Sequence, residues 1–217
     1  MVGMKSIKLA ETADVTALVR TAAEVLREGG LVCLPSGGRY RILARLDDVD
    51  AVRRLMQAKS RVKTAPALVC VRGEADIDLV AEDVHPLARR IARELWPQPV
   101  TIRVKPRSDL PSKVIKQLGG KNARVGVRMS GTPLMSAIVE AVGGPLLVSS
   151  ANRERRAGDS SPAQVSKTFG QHIDLFLNDG DLQPGAVSTV IDFTDDALVI
   201  ERQGAVAKDT IAQCAAR

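Results

Sequence analysis

Helical and strand-like apolar patterns alternate along this 217-residue chain, and that alternation restricts its fold more than any other feature of the sequence. Apolar residues recur at helical spacing over 15–28, and Gly29-Gly30 ends this pattern. The next segment, Leu31 to Leu34, is short and apolar and is ended by Pro35, which is typical of a buried strand. A chain that begins with such a helix and strand is expected to pack helices against a sheet.

The same alternation continues to the end of the chain. Further helices are predicted at 48–58, 86–95 and 133–142, and further strands at 67–71, 100–105 and 146–149. The segments 188–193 and 197–201 are predicted to form a hairpin joined at Asp195-Asp196. The sequence contains no internal repeat and no linker long enough to separate two domains, so it predicts one α/β (α+β) domain over residues 1–217 with a mixed sheet.

Composition excludes several classes of protein. Apolar residues make up 45% and charged residues 26%, a balance typical of globular rather than disordered chains. No apolar run approaches the 18 to 20 residues of a membrane span, and residues 1–15 lack the apolar core of a signal peptide. The three cysteines have no Cys-x-x-Cys spacing, which argues against a disulfide framework or a zinc site. These features predict a cytoplasmic protein that does not bind membranes.

Positive charge is concentrated in residues 89–128, which contain eleven basic and two acidic residues and have a net charge of +9. Such a segment either forms a solvated basic face or attracts a polyanion such as nucleic acid or a nucleoside triphosphate. The chain contains five aromatic residues, too few and too scattered to stack single-stranded bases. If nucleic acid binds, double-stranded RNA recognised by shape is therefore the favoured form.

Single motifs do not identify a reaction. Gly119-Gly120-Lys121 lacks both the first glycine and the Ser/Thr of a Walker A loop. Ser36-Gly37-Gly38 either presents backbone N–H groups to a phosphate or forms a flexible turn. Ser149-Ser150 lacks the Gly-x-Ser-x-Gly frame of a hydrolase. His85 and His172 have no ligand spacing and are predicted to be surface or capping residues, so no metal-ligating residue is assigned.

The order of the motifs is more informative than any one of them. The set is Pro35 and a loop that contains Tyr40, Lys59-Ser60-Arg61, Leu95-Trp96-Pro97-Gln98-Pro99-Val100-Thr101, Val125-Gly126-Val127-Arg128, Pro145 to Asn152, Asn178-Asp179-Gly180, Ser188 to Asp192, and Val199 to Gly204. This ordered set resembles the YrdC-like threonylcarbamoyl-AMP synthase family from about residue 14 to residue 213.

The resemblance implies a fold, a reaction and partners. The fold would be a twisted mixed β-sheet with flanking helices around a basic concave cavity. The reaction would condense L-threonine, bicarbonate and ATP, with Mg²⁺, into threonylcarbamoyl-AMP and pyrophosphate. That product supplies the threonylcarbamoyladenosine modification of tRNA together with partner proteins. Some members of the family are also described as binding double-stranded RNA.

The resemblance also assigns roles to particular residues. Lys59 and Arg61 match the family's Lys-x-Arg pair, and Ser150 and Asn152 match its Ser-x-Asn pair; these four are the predicted catalytic group. The predicted nucleotide- and substrate-binding residues are Ser36, Tyr40, Thr101, Arg128, Ser188 and Arg202. Fixed cations and hydrogen-bond donors suit a reaction that brings several anions together. For all of these residues a structural role, such as a solvated helix end or a loop cap, is the alternative.

The loop after the first predicted strand departs from the family pattern, Pro-Thr-Asp/Glu-Thr-x-Tyr-Gly-Leu. Here Gly37 and Gly38 replace the acidic residue and the second threonine, and Arg41 replaces the glycine after the tyrosine. Anion or nucleotide binding is therefore better supported than threonine specificity. Three hypotheses remain: an active synthase, a divergent paralogue that binds nucleotide or double-stranded RNA, and a ligase-like enzyme with another acceptor than threonine.

Overall fold

The computed structural model describes residues 4–59, 67–118, 124–152, 159–193 and 197–216, which form a mixed α/β fold. The strands are β1 (Lys5–Lys8), β2 (Val32–Pro35), β3 (Tyr40–Arg45), β4 (Leu68–Val71), β5 (Ala81–Glu82), β6 (Val100–Pro106), β7 (Val125–Met129), β8 (Leu146–Ser150), β9 (Leu175–Asn178), β10 (Thr189–Asp192) and β11 (Val199–Arg202). The helices are α1 (Val15–Arg27), α2 (Val49–Ala58), α3 (Pro86–Leu95), α4 (Ser112–Leu118), α5 (Pro133–Val142), α6 (Pro162–Phe169) and α7 (Lys208–Ala216).

The strands form one mixed sheet in the order β1-β9-β2-β3-β8-β4-β7-β6-β10-β11, with β5 paired to β6 beside it. Parallel pairs are β1/β9, β2/β9, β4/β7 and β6/β10. Each of the central strands β2, β3, β8 and β4 is antiparallel to its neighbour in this order. The mixed sheet expected from the sequence is confirmed.

Helices cover both faces of the sheet. Because side chains alternate along a strand, Val32 and Leu34 of β2 face one layer and Cys33 faces the other. The first layer contains the apolar residues of α1 and α5, and the second contains those of α2, α3, α4, α6 and α7.

Helices α1 and α3 begin at residues whose side chains cap the free backbone N–H groups of the first turn. Asp14 accepts a hydrogen bond from Ala17 N, and His85 accepts one from Leu87 N. The capping role predicted for His85 is therefore confirmed.

The helices predicted at 15–28, 48–58, 86–95 and 133–142 are all present, and β10 and β11 form the expected antiparallel pair. The turn predicted at Asp195-Asp196 lies outside the described residues. The prediction of a loop containing Tyr40 was wrong, since the loop is confined to 36–39 and Tyr40 begins β3. This strand lies between β2 and β8 and is covered on both faces, so it lacks the polar alternation by which a half-exposed strand is recognised.

The cysteines Cys33, Cys70 and Cys214 are free and buried. Burial raises the pKa of the Cys70 thiol to about 11, although Arg128 and Arg41 oppose the shift, so this group is a neutral thiol at pH 7.

Among the helices in the described ranges, none has the length and apolar character needed to cross a bilayer.

Glu82 gives the β5–β6 pair a pH-dependent stability. Its carboxylate lies 2.7 Å from Lys105 Nζ and accepts hydrogen bonds from Ser108 N and Oγ at 2.8 Å, and these contacts lower its pKa to about 2. A depressed carboxyl pKa stabilises the fold above the unfolded value near 4.5, and this contribution is lost as the pH falls towards 2.

We therefore expect Glu82→Gln to have a lower Tm than the wild type at pH 7, with the difference shrinking between pH 4.5 and pH 2. Thermal unfolding followed across that range measures it. The exposed Glu28 is a control, and Glu28→Gln should change Tm little at neutral pH. A Glu82→Gln difference that stays constant from pH 7 to pH 2 would contradict the assignment.

Candidate functional site

A cavity of about 670 Å³ lies over the middle of the sheet, where β3, β4, β6, β7, β8 and β11 all contribute to its lining. Six of the ten site residues predicted from the sequence line it: Ser36, Thr101, Arg128, Ser150, Ser188 and Arg202. These residues are far apart in the sequence, and the sheet brings them together. A cavity of this volume is within the range of small-molecule binding sites.

One side of the cavity is built around Ser188. Arg128 Nη1 donates a hydrogen bond to Ser188 Oγ at 2.7 Å, and Arg202 donates to the Ser188 carbonyl oxygen from Nε at 3.2 Å and from Nη2 at 2.9 Å. Thr101 is buried on β6 beside β10, the strand that follows Ser188. We call Thr101, Arg128, Ser188 and Arg202 the Ser188 cluster. Its two guanidinium groups are held in place by neutral partners, so their charges remain available to an anion.

Lys59 and the Ser-x-Asn pair lie in direct contact. The buried Lys59 ammonium donates to the carbonyl oxygens of Ser150 and Asn152 and, at 3.1 Å, to Asn152 Oδ1. Ser150 Oγ donates to the same Asn152 Oδ1 at 2.7 Å. Ser150 lines the cavity, whereas Lys59 and Asn152 do not. Lys59 therefore holds the end of β8 in place, and the fourth member of the predicted group, Arg61, lies outside the described residues.

The short loop 36–39 forms a wall of the cavity. Ser36 Oγ lies 2.7 Å from Thr132 Oγ1, and Arg39 Nη1 is bound to the Asp159 carboxylate at 3.1–3.2 Å. Gly37 and Gly38 both have positive φ, of 63° and 73°. A Cβ atom on Gly38 would lie 2.2 Å from Gln183 O and from Gly185 N, so the loop packs directly against the 183–185 backbone. The paired glycines are explained by this contact and by their φ values.

Tyr40, predicted to bind substrate, is not brought to the cavity. Its ring is fully buried with its centroid 5.0 Å from that of Phe176. Its hydroxyl donates to Gly180 O at 2.7 Å and accepts from Asp179 N at 2.9 Å. Burial raises the pKa of Tyr40 to about 12. The geometry gives Tyr40 a structural position, in which it joins β3 to the segment after β9.

Four charged residues that line the cavity were not predicted as site residues: Arg39, Arg41, Arg103 and Asp159. Arg41 and Arg103 each occupy a strand position between two buried apolar residues. A charged residue inside an apolar strand is costly to bury, so this sequence feature could have identified both as candidate site residues. Within the described residues the lining has five arginines and one carboxylate. Arg39 is neutralised by Asp159, and Arg103 Nε lies 3.0 Å from Glu201 Oε2.

The basic segment 89–128 is not a uniform positive face. Six of its cations are paired with carboxylates, mostly from outside the segment: Arg89, Arg93, Arg103, Lys105, Arg107 and Arg124. Their charges are therefore largely compensated on the surface. Arg128, in contrast, faces the cavity and is bound to neutral oxygens. Arg128 thus brings to the cavity a positive charge of the segment that forms no ion pair among the described residues, whereas Lys113 and Lys116 are exposed elsewhere on the surface.

The fold and the site together define a class of α/β protein with an arginine-lined cavity suited to small anionic ligands. The model of the Sua5, YciO and YrdC proteins, which has the description "telomere recombination", matches residues 24–204. The chain belongs to this Sua5/YciO/YrdC family, and the resemblance found in its motifs is confirmed.

Two curated relatives and one solved structure place the chain within the family. The threonylcarbamoyl-AMP synthase of Pyrococcus abyssi is 30% identical over 193 residues, which cover 89% of this chain and 56% of that protein. The uncharacterized protein YciO of Escherichia coli is 24% identical over 188 residues, which cover 86% of this chain and 89% of YciO. The crystal structure of P. abyssi Sua5 complexed with L-threonine matches with a TM-score of 0.81 and 26% identity, over 97% of this chain and 60% of that one. The chain thus spans little more than half of the P. abyssi synthase.

Proposed function

We propose that this protein is a threonylcarbamoyl-AMP synthase-type enzyme, which condenses L-threonine, bicarbonate and ATP into threonylcarbamoyl-AMP and pyrophosphate for the modification of tRNA. The single observation that supports this most is the cavity, which both the Ser188 cluster and Ser150 line. The name of the P. abyssi relative and the threonine bound to its Sua5 structure support the choice of reaction and of amino acid.

The Ser188 cluster is suited to the triphosphate of ATP. Arg128 and Arg202 are both held to Ser188 by hydrogen bonds of 2.7–3.2 Å, so they need little rearrangement to meet phosphate oxygens. Guanidinium groups bind phosphate through two parallel N–H donors. A fixed pair of such groups would stabilise the charge that develops as pyrophosphate leaves the α-phosphorus.

Ser150 and the loop 36–39 would form the opposite end of the site. Ser150 Oγ and Ser36 Oγ offer hydroxyl groups to the carbamate and the amino acid. Lys59 and Asn152 would act as positioning residues, because their hydrogen bonds fix the backbone and the side chain of Ser150. Bringing the carbamate oxygen and the α-phosphorus of ATP together would provide much of the rate enhancement.

Magnesium enters this proposal as part of the MgATP substrate. In the ranges that the structure describes, no group of three carboxylate, histidine or cysteine side chains could hold a metal ion. Magnesium in nucleotide sites is commonly held by substrate phosphates and one or two carboxylates. Asp159, the acidic residue of the described lining, is bound to Arg39, so the phosphates of ATP would supply most of the ligands.

Pyrophosphate release tests the proposal. The purified chain is incubated with ATP, Mg²⁺ and bicarbonate, with and without L-threonine, and we expect release that depends on threonine. Arg128→Met should lower that rate by about 100-fold, the effect of removing one fixed donor to a developing anion. Lys113→Met, at an exposed site of the same basic segment, is the matched control and should not change the rate.

Release that is equal with and without threonine would count against the reaction. If the chain instead binds double-stranded RNA with a steep salt dependence, the alternative of a nucleic-acid-binding paralogue would be favoured.

A further inference from the structure

Arg41 places a guanidinium group in the floor of the cavity. In the register of the sheet it lies opposite Leu34 of β2 and Ser150 of β8. The floor around it includes the apolar side chains of Cys70, Met135 and Val148.

This charge forms no ion pair within the described residues. No hydrogen bond or ion pair joins the Arg41 side chain to them, and the nearby Asp159 carboxylate is bound by Arg39 at 3.1 Å. Burial lowers the pKa of Arg41, Asp159 opposes this shift, and Arg128 and Arg39 add to it. The group is therefore a partly desolvated cation, and the carboxylate that stabilises its charge most, Asp159, is already paired with Arg39.

An uncompensated cation in a partly apolar environment destabilises a free protein, and a ligand that supplies the missing charge would remove that cost. A guanidinium group binds a carboxylate through two parallel N–H donors. Phosphates have their own pair of arginines in the Ser188 cluster, whereas Arg41 lies beside Ser150 and the loop 36–39, the end assigned to the amino acid.

We propose that Arg41 is a specificity-determining residue that binds a carboxylate of the amino-acid substrate in the floor of the cavity. This inference rests on the proposed function, because it assumes that the β3 end of the cavity holds an amino acid. The carboxylate has two sources, the α-carboxylate present in every amino acid or the side chain of aspartate or glutamate. Arg41 would thus supply a polar group next to the loop 36–39, where Gly37 and Gly38 have no side chain.

The free protein gives the first test. Arg41→Met keeps the length of the side chain and removes its charge, so we expect it to raise Tm by about 2–4 °C. Arg45→Met is the matched control, because Arg45 lies on the same strand and the same face but outside the cavity and is paired with Asp47. It should leave Tm unchanged or lower it slightly. A fall in Tm for Arg41→Met larger than that of the control would overturn the assignment.

Ligand binding gives the second test. Isothermal titration of the full chain uses glycine, L-threonine, L-aspartate, L-glutamate and inorganic pyrophosphate as probes. We expect Arg41→Met to weaken amino-acid binding by about 10- to 100-fold, the usual effect of losing a charge-assisted contact, and to weaken pyrophosphate binding less than 3-fold. Arg45→Met should bind all probes like the wild type.

The pattern of losses identifies the carboxylate. Loss for every amino acid, glycine included, assigns Arg41 to the α-carboxylate, and loss for aspartate and glutamate alone assigns it to an acidic side chain. Unchanged amino-acid binding, a loss confined to pyrophosphate, or no amino-acid binding by the wild type would each overturn the proposal. Amino-acid binding that depends on Arg41 without pyrophosphate release would support this inference while the proposed reaction fails.

Discussion

Lys59→Met is expected to reduce threonine-dependent pyrophosphate release by about 100-fold or more, although Lys59 does not line the cavity. Its ammonium donates to the carbonyl oxygens of Ser150 and Asn152 and to Asn152 Oδ1. Methionine keeps the aliphatic stem but removes the Lys59 donor from the two carbonyl oxygens, whereas Asn152 Oδ1 keeps its hydrogen bond from Ser150 Oγ. The end of β8 would lose its fixed position, and with it the orientation of the Ser150 hydroxyl.

The same substitution should also lower stability. A buried acceptor left without a partner costs about 1–3 kcal/mol, which corresponds to a fall in Tm of several degrees for a chain of this size. Thermal unfolding and pyrophosphate release are measured on the same preparation. Lys167→Met removes an exposed lysine from α6 and should change neither quantity. If Lys59→Met kept both wild-type activity and wild-type Tm, Lys59 would have neither a catalytic nor a positioning role.

The second large effect is expected at Gly38. Gly38→Ala should lower stability by about 3–4 kcal/mol, because its Cβ would lie 2.2 Å from the backbone at Gln183 and Gly185 while φ is 73°. Backbone atoms on both sides of this contact cannot move as a flexible side chain does. The wall of the cavity formed by the loop 36–39 would have to separate from the 183–185 segment.

Gly37→Ala is the matched control for Gly38→Ala. Gly37 also has a positive φ, of 63°, but a Cβ there would meet nothing within 4 Å. We expect Gly37→Ala to cost about 1 kcal/mol, the conformational penalty alone. Thermal or denaturant unfolding of both variants separates the cost of the positive φ from the cost of the contact with the 183–185 backbone. Equal losses of stability would mean that the backbone contact at Gly38 contributes nothing. If Gly38→Ala failed to fold while Gly37→Ala folded, the role of this contact would be supported.

The glycines of this loop also bear on the departure from the family pattern. A threonine at position 38 would meet the 183–185 backbone as an alanine does, so the loop could not regain the family residue without a rearrangement. Arg39 and Arg41, which flank the buried Tyr40, bring charges to the same wall and floor. In the altered loop, Gly38 therefore allows close packing against the 183–185 backbone, and Arg39 and Arg41 supply the polar groups of this part of the cavity.

The secondary structure was the part of this protein that its sequence determined well. The helices at 15–27, 49–58 and 86–95 have strong apolar periodicity, and Asp14, Asp48 and His85 cap them through local hydrogen bonds. Periodicity and caps act over a few residues, so they can be recognised without the fold. The order of the motifs likewise identified the family and gave six of the residues that line the cavity.

Only the tertiary structure decided which charges are available to a ligand. Arg39 is neutralised by Asp159, 120 residues away, and Arg103 by Glu201, 98 residues away, whereas Arg41 meets no carboxylate among the described residues. It also placed Tyr40 in the core and Lys59 behind Ser150. The physical reason is that a charged side chain is paired or left unpaired by the groups within about 4 Å of it in space. The pairing of strands that are distant in the sequence determines which groups those are.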